Sequence, residues 1–315
     1  VVSYKGNFSP AIPQKPKEGK IMEEVAEKTY RLEVRLAGVD VIFAVYLIGE
    51  AQGVVIEPGP AAGAPTIQAA MKQLGMKELA YIIPTHIHLD HAGAAGSLAQ
   101  LFPRAKVLVH PQVAKHMVDP SRLIESTKMS FGDDFEATFG TTLPVPESQI
   151  KTPEDGETIS VNDRRLRIIY APGHAPHHMA IFDEKIKGLF CGEALGTPPV
   201  GADSYPIPIA APPSFDIEVY VATMEKLRKL NPRILFYSHD GIGRQPDRLI
   251  PRAVENTRLF GDLILEALRR GETDESVKRQ VREYLRRHLG VSGEGVDVDM
   301  SIDGFIFYFK KMGLV

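Results

Sequence analysis

Three histidines and one aspartate fall within six residues, in the run Thr85-His86-Ile87-His88-Leu89-Asp90-His91. Imidazole nitrogens and carboxylate oxygens are natural ligands for zinc, iron or manganese. In an extended segment His86 and His88 point to the same side, because strand side chains alternate with period two. Asp90 and His91 then fall where the chain turns into a helix beginning near Ala92. One short corner would therefore grip two adjacent metal ions, the first through His86 and His88, the second through Asp90 and His91. An ordinary polar loop needs neither this density nor this placement.

The corner needs elements to hold it. The apolar run Leu79-Ala80-Tyr81-Ile82-Ile83-Pro84 reads as a buried strand feeding it. Upstream, residues 29–36 alternate, 41–48 form a buried run, and 53–57 make a third strand ending at Pro58-Gly59. Helices are expected over 64–74, 92–101 and near 112–117, with a strand at 106–109. Residues 119–148 read as an insertion with two amphipathic pieces, 122–129 and 133–139. Strands resume at 157–161, 165–170, 178–182, 188–191 and 233–237, with a helix over 216–230. Residues 197–213 hold six prolines, which marks a restricted loop of the kind that walls binding sites. Beyond Gly243 the pattern is helical: 246–270 with Gly271 as its stop, then 273–289 with Thr273 as N-cap. The tail 301–312 includes Phe305-Ile306-Phe307-Tyr308-Phe309, a patch that is apolar all round and should be buried against the core or in a subunit contact. Residues 1–20, with Pro10, Pro13 and Pro16, read as an irregular arm. The expected organisation is thus an arm over 1–20, a metal-binding domain over 21–245, and C-terminal helices over 246–315 packed on the core.

Three more candidate ligands follow apolar strands: His174 in Pro172-Gly173-His174, Glu193 in Gly192-Glu193, and His239 in Ser238-His239. Open sheets place their sites beyond strand ends. Alone, His174 or His239 reads as a structural histidine; in company with the corner, each reads as a ligand. Together these motifs resemble those of the metallo-β-lactamase-fold hydrolases, the superfamily that includes glyoxalase II, N-acyl-homoserine lactonases and persulfide dioxygenases. The resemblance spans roughly residues 22–243. It implies an α/β fold, an αββα sandwich carrying a C-terminal helical extension here. It also implies that His86, His88 and His174 hold one metal ion and Asp90, His91 and His239 a second. The bridging carboxylate falls on Glu193, where the family usually has Asp. The extra methylene allows Glu193 to bridge, to bind one ion, or to swing away, and a looser hold on the ions is expected from it. Glu57 stands where the family commonly has another Asp; it reads as an orienting partner for a ligating histidine or as a turn cap.

Other candidates carry less. His178 reads as a supporting residue of the site and His177 as solvent-facing. His110 reads as structural, and His116 and His288 as surface residues on helices. Cys191 reads as a small buried residue rather than a nucleophile. Tyr205, in the proline-rich loop, is a candidate donor to a developing oxyanion.

Composition bounds the partners. The chain has 315 residues, 24% of them charged, and a formal net charge of -3. That gives no electrostatic case for nucleic acid or an anionic membrane. No apolar run reaches transmembrane length, no signal peptide is read at the start, and a single cysteine fits a reducing cytoplasm. The expected partner is a small-molecule substrate, with a homo-oligomer possible. The resemblance implies a metal-dependent hydrolase with two divalent ions, zinc first and iron or manganese next. In it a metal-activated hydroxide, anchored with the help of Asp90 as the catalytic residue, cleaves an ester, thioester or lactone. The alternative is a mononuclear-iron oxidoreductase of the persulfide-dioxygenase kind. Arg269, Arg270, Arg286 and Arg287 lie in ordinary amphipathic helices, so no glutathione patch is read. The apolar content of 119–148 and 197–213 suggests a pocket for a small organic acyl compound.

Overall fold

A computed structural model describes residues 21–39, 41–132, 134–198, 206–239, 241–288 and 298–315. The expected arm over 1–20 and Tyr205 lie outside the described residues. By its internal contacts the chain forms two compact units, Val1–Ile168 and Ile169–Val315.

In the first unit seven strands form one sheet in chain order: β1 (Met22–Ala26), β2 (Thr29–Val34), β3 (Phe43–Gly49), β4 (Gln52–Ile56), β5 (Glu78–Ile83), β6 (Lys106–Leu108) and β7 (Ile150–Lys151). Strands β1 to β4 pair antiparallel. From β4 to β7 the pairing is parallel, and parallel neighbours need a crossover. Helix α1 (Ala64–Gln73) makes the first one. Its Ile67, Ala70 and Met71 stack with Leu47, Val55 and Ile82 of the sheet in one apolar cluster. Alternate residues of β3 and β4 (Tyr46, Ile48, Val54, Ile56) are also buried, so these strands are continuous apolar runs, as strands covered on both faces are.

The helix expected over 92–101 is split into α2 (Leu89–Ala92) and α3 (Ala95–Leu101). The break is at Gly93, where a Cβ would lie 2.4 Å from the Leu89 carbonyl oxygen and 2.8 Å from the Ala61 nitrogen. Close approach of that backbone, not helix propensity, sets the joint. Helices α4 (Ala114–Val118), α5 (Ser121–Phe131) and α6 (Phe135–Phe139) follow. In α6, Phe135 and Phe139 stack at 4.6 Å. Strands β8 (Thr158–Val161) and β9 (Arg164–Tyr170) then make an antiparallel hairpin.

The second sheet has the order β13-β12-β11-β10-β9-β8. In it β10 (Met179–Asp183) pairs antiparallel with β11 (Gly188–Gly192), β11 parallel with β12 (Ile234–Tyr237), and β12 antiparallel with β13 (Ile242–Gly243). The parallel step again takes a helical crossover, α7 (Ile217–Arg228), capped by Asp216, whose side chain accepts the Val219 N–H. Helices α8 (Pro246–Arg269), α9 (Asp274–His288) and α10 (Val298–Lys311) complete this unit. Gly271, at φ 77°, ends α8 and its turn, and Thr273 Oγ1 accepts the Ser276 N–H at 3.3 Å at the start of α9.

The tail is not buried all round. Phe305, Ile306, Tyr308 and Phe309 of α10 are buried, but Phe307 is 38% exposed. A helix turns 100° per residue, so five consecutive apolar residues cannot all face one core. The buried ones join Phe215, Tyr220 and Phe260 in the aromatic core of the second unit.

Candidate metal centre

In the first unit β5 ends at Ile83; His86 lies beyond it in a bend and His88 immediately before α2, neither of them in strand. Period-two alternation is therefore not what brings them together. The bend does so, setting His86 Nε2 3.0 Å from His88 Nδ1. Asp90 and His91 sit inside the short α2, not before it. Asp90 Oδ2 lies 3.1 Å from His91 Nε2. The rings of His86 and His91 are 4.1 Å apart, so the two pairs are neighbours.

Each buried histidine here has its other nitrogen occupied. Thr85 Oγ1 lies 3.0 Å from His86 Nδ1. Glu57 Oε2 pairs with His91 Nδ1, while Glu57 Oε1 accepts the Thr85 N–H at 2.6 Å. A carboxylate accepts, so His91 carries a proton on Nδ1, and its Nε2 faces Asp90. Of the two readings of Glu57, the contacts match an orienting partner for a histidine: it pairs with His91, a candidate ligand, and with the Thr85 N–H. It is 3% exposed and adopts φ 56°. A left-handed conformation costs a non-glycine residue about 1–2 kcal/mol, and it persists where the surroundings over-determine it. Here the buried bonds to Thr85 and His91 do so.

The second unit supplies His174, Glu193 and His239 from turns after β9, β11 and β12. His174 Nδ1 donates to the Ile209 carbonyl at 3.0 Å. Because a carbonyl only accepts, His174 carries a proton on Nδ1, and its Nε2 faces Glu193 Oε2 at 3.0 Å. The other oxygen, Glu193 Oε1, lies 3.5 Å from His239 Nε2. Glu193 has not swung away: its two oxygens address two different histidines, and the extra methylene supplies that reach. The Glu193 N–H donates to His178 Nε2 at 3.2 Å, which makes His178 a support of this turn.

Two contributors had no signal in the motif. Tyr220 of α7 is fully buried; its hydroxyl donates to the Glu193 carbonyl at 2.6 Å and accepts the Gly196 N–H at 2.9 Å. Burial first, then the charge of Glu193, raises its pKa far above the usual phenol value, so it stays a neutral donor. The Ile209 carbonyl could not be found from residue type at all.

The remaining candidates fall elsewhere. His110 Nδ1 accepts the Gln112 N–H at 3.3 Å, and burial lowers its pKa. His116 and His177 are half-buried. His288 is exposed and stacks on Tyr284 at 4.5 Å. Cys191 is buried, its thiol donating to the Phe236 carbonyl at 3.3 Å. No helix among the described residues is long and apolar enough to cross a membrane.

The donor set fits divalent metal: histidine and carboxylate groups, mostly buried, with outer partners that leave Nε2 of His91 and His174 available. His86, His88, Asp90 and His91 in one unit and His174, Glu193 and His239 in the other are the residue types that hold such an ion.

Comparison with known proteins agrees with this chemistry. The family model described as the metallo-beta-lactamase superfamily matches residues 37–239. The metallo-beta-lactamase fold-containing protein ST1585 of Sulfurisphaera tokodaii is 30% identical over 170 residues, 53% of this chain and 62% of that protein. A hydroxyacylglutathione hydrolase of Synechococcus is 28% identical over 136 residues, 43% of this chain and 42% of the relative. The matches thus span about three fifths of the first relative and under half of the second. Among solved structures, the metallo-beta-lactamase family protein TTHA1429 of Thermus thermophilus aligns with a TM-score of 0.68 at 18% identity, covering 91% of this chain and 94% of that one. At that identity the likeness establishes the fold, the α/β, αββα type that the resemblance implies.

Proposed function

This chain belongs to the metallo-beta-lactamase superfamily, and from that premise we propose that it is a metal-dependent hydrolase of an ester, thioester or lactone of a small organic acid. In this reading His86, His88 and His174 would hold one divalent ion, Asp90, His91 and His239 a second, and Glu193 would bridge. The observation that carries it is the Glu193 carboxylate, with His174 on one oxygen and His239 on the other. In the first unit His86 lies beside His88 and Asp90 beside His91, donors of the same kinds.

Bound there, a pair of divalent ions would supply Lewis acidity and a water acidified to near neutrality. The chain's own residues do the rest. Glu57 and the Ile209 carbonyl keep His91 and His174 in the tautomer that presents Nε2. Glu57 and Glu193 are buried, whereas the Asp90 side chain is 31% exposed. Asp90 is therefore the carboxylate placed to meet solvent and to take a proton as water adds to the substrate carbonyl carbon. The carbon–oxygen or carbon–sulfur bond then breaks, and the proton passes to the departing alcohol or thiol. A hydrolase among the relatives, the hydroxyacylglutathione enzyme, supports hydrolysis as the reaction class.

The test is metal analysis of protein purified without added metal, followed by assay of aryl ester, lactone and thioester probes with and without chelator. Two zinc per chain and chelator-sensitive turnover support the proposal. One iron per chain with no hydrolysis would overturn it in favour of oxygen chemistry.

A further inference from the structure

Residues 206–210 are buried throughout, although they form no helix or strand beyond a single bridge between Ile207 and Thr197. Buried irregular backbone must have its polar groups satisfied, and these bonds run in two directions. On one side lie the candidate ligands: His174 donates to the Ile209 carbonyl at 3.0 Å, and Ile207 exchanges bonds with Thr197, at 2.9 and 3.0 Å, four residues beyond Glu193. On the other side lie the C-terminal helices: Asn256 of α8 donates to the Pro206 carbonyl at 2.7 Å, and Ser301 Oγ of α10 accepts the Ala210 N–H at 3.4 Å. The contact with α10 is close, since a Cβ on Gly304 would lie 2.1 Å from the Ala210 carbonyl oxygen.

The Ile209 carbonyl and the Ala210 N–H belong to one planar peptide unit, which can only turn as a whole. Ser301 holds one end of that plane and His174 is bonded to the other. We infer that this peptide plane is a positioning device through which α10, remote in sequence from every candidate ligand, sets the orientation and tautomer of His174, with α8 steadying the same segment at Pro206. The inference rests on the reading of His174 as a metal ligand given above. Outer partners of ligating histidines govern metal affinity by about 10–100-fold, so a residue on α10 should do the same without approaching the metal.

The experiment titrates cobalt(II) into metal-stripped full-length protein and reads dissociation constant and visible absorption, with circular dichroism and melting temperature alongside. Gly304→Ala should displace Ala210, weaken cobalt binding by about 10–100-fold and alter the visible band, in a chain that remains folded. Phe309→Leu is the control, because Phe309 packs against Phe305, Tyr308 and Gly261. It should lower the melting temperature and leave the dissociation constant unchanged. Equal losses of affinity in both variants would reduce the effect to general destabilisation and overturn the inference. Should Gly304→Ala fail to fold, Ser301→Ala and Asn256→Ala decide: weakened cobalt binding in either supports the inference, and unchanged binding in both overturns it. A natural protein that binds no cobalt would instead remove the metal reading itself, and this inference with it; tight binding in the natural protein with indifferent variants would remove the inference alone.

Discussion

The first unit collects His86, His88, Asp90 and His91 from one bend and one helical turn, while the second collects His174, Glu193 and His239 from three separate strand ends. The first set is local. Its geometry needs the end of β5, the close backbone packing at Gly93, and two outer partners, Thr85 and Glu57. The second set is assembled. It needs the parallel step from β11 to β12, the buried hydroxyl of Tyr220, and the peptide plane at Ile209. A local set should respond mainly to changes in its own residues. An assembled set should respond to whatever disturbs the packing between its parts.

The contrast is sharpest for function at Asp90, the most exposed carboxylate of the set. Asp90→Ala should reduce kcat/KM by about 10²–10⁴-fold, the range of a positioned acid–base group, with the circular dichroism spectrum preserved. Stripping the metal with a chelator should abolish turnover in the natural protein, and retained activity in both cases would break the hydrolase reading.

Next in size is Glu193→Asp. Glu193 reaches His174 at 3.0 Å and His239 at 3.5 Å with separate oxygens, and a shorter side chain gives up one of them. Metal stoichiometry measured after dialysis should fall toward one ion per chain. Two ions held as tightly as before would show that the assembled set tolerates slack and that the longer carboxylate is not fitted to its pocket.

Glu57→Gln probes the local set. The amide keeps one uncharged oxygen for the two donors, Thr85 N–H and His91 Nδ1, that the carboxylate accepts, so metal affinity should fall by about tenfold, the low end for an outer partner. Isothermal titration with zinc reads this directly; an unchanged affinity would make Glu57 a turn residue only.

The smallest effect is expected at Tyr220→Phe, which leaves the Glu193 carbonyl and the Gly196 N–H buried without the hydroxyl. Denaturant unfolding should show a loss of about 1–3 kcal/mol, and metal affinity should shift less than in Glu193→Asp. The Tyr220 phenol is held neutral by burial, so this loss should be the same at pH 6 and pH 9. A loss confined to high pH would contradict a neutral donor.

The strands that carry the candidate ligands were readable because each is an apolar run bounded by turn residues. Examples are 79–84 before the corner and 188–191 before Glu193, observed as Glu78–Ile83 and Gly188–Gly192. What misled was local. The bend at His86 and the short α2 replace the expected extended pair and the single helix over 92–101. The end of α2 coincides with close backbone approach at Gly93, which leaves no periodic trace. The patch over 305–309 is apolar on all sides, and Phe307 shows that a helix keeps one face toward water even where its letters are all aromatic or aliphatic.

By itself, then, the sequence determined the chemistry of the candidate ligands and their position after apolar strands, because side-chain type and hydrophobic spacing are written in the letters; the fold type came from the resemblance its motifs carry. Only the tertiary structure decided that Glu193 serves two histidines, that Glu57 rather than solvent fixes His91, and that Tyr220 and Ile209 hold the second set in place. The physical reason is plain at Ile209. Its contribution is a backbone carbonyl, a group every residue carries, so nothing but the path of the chain in space can single it out.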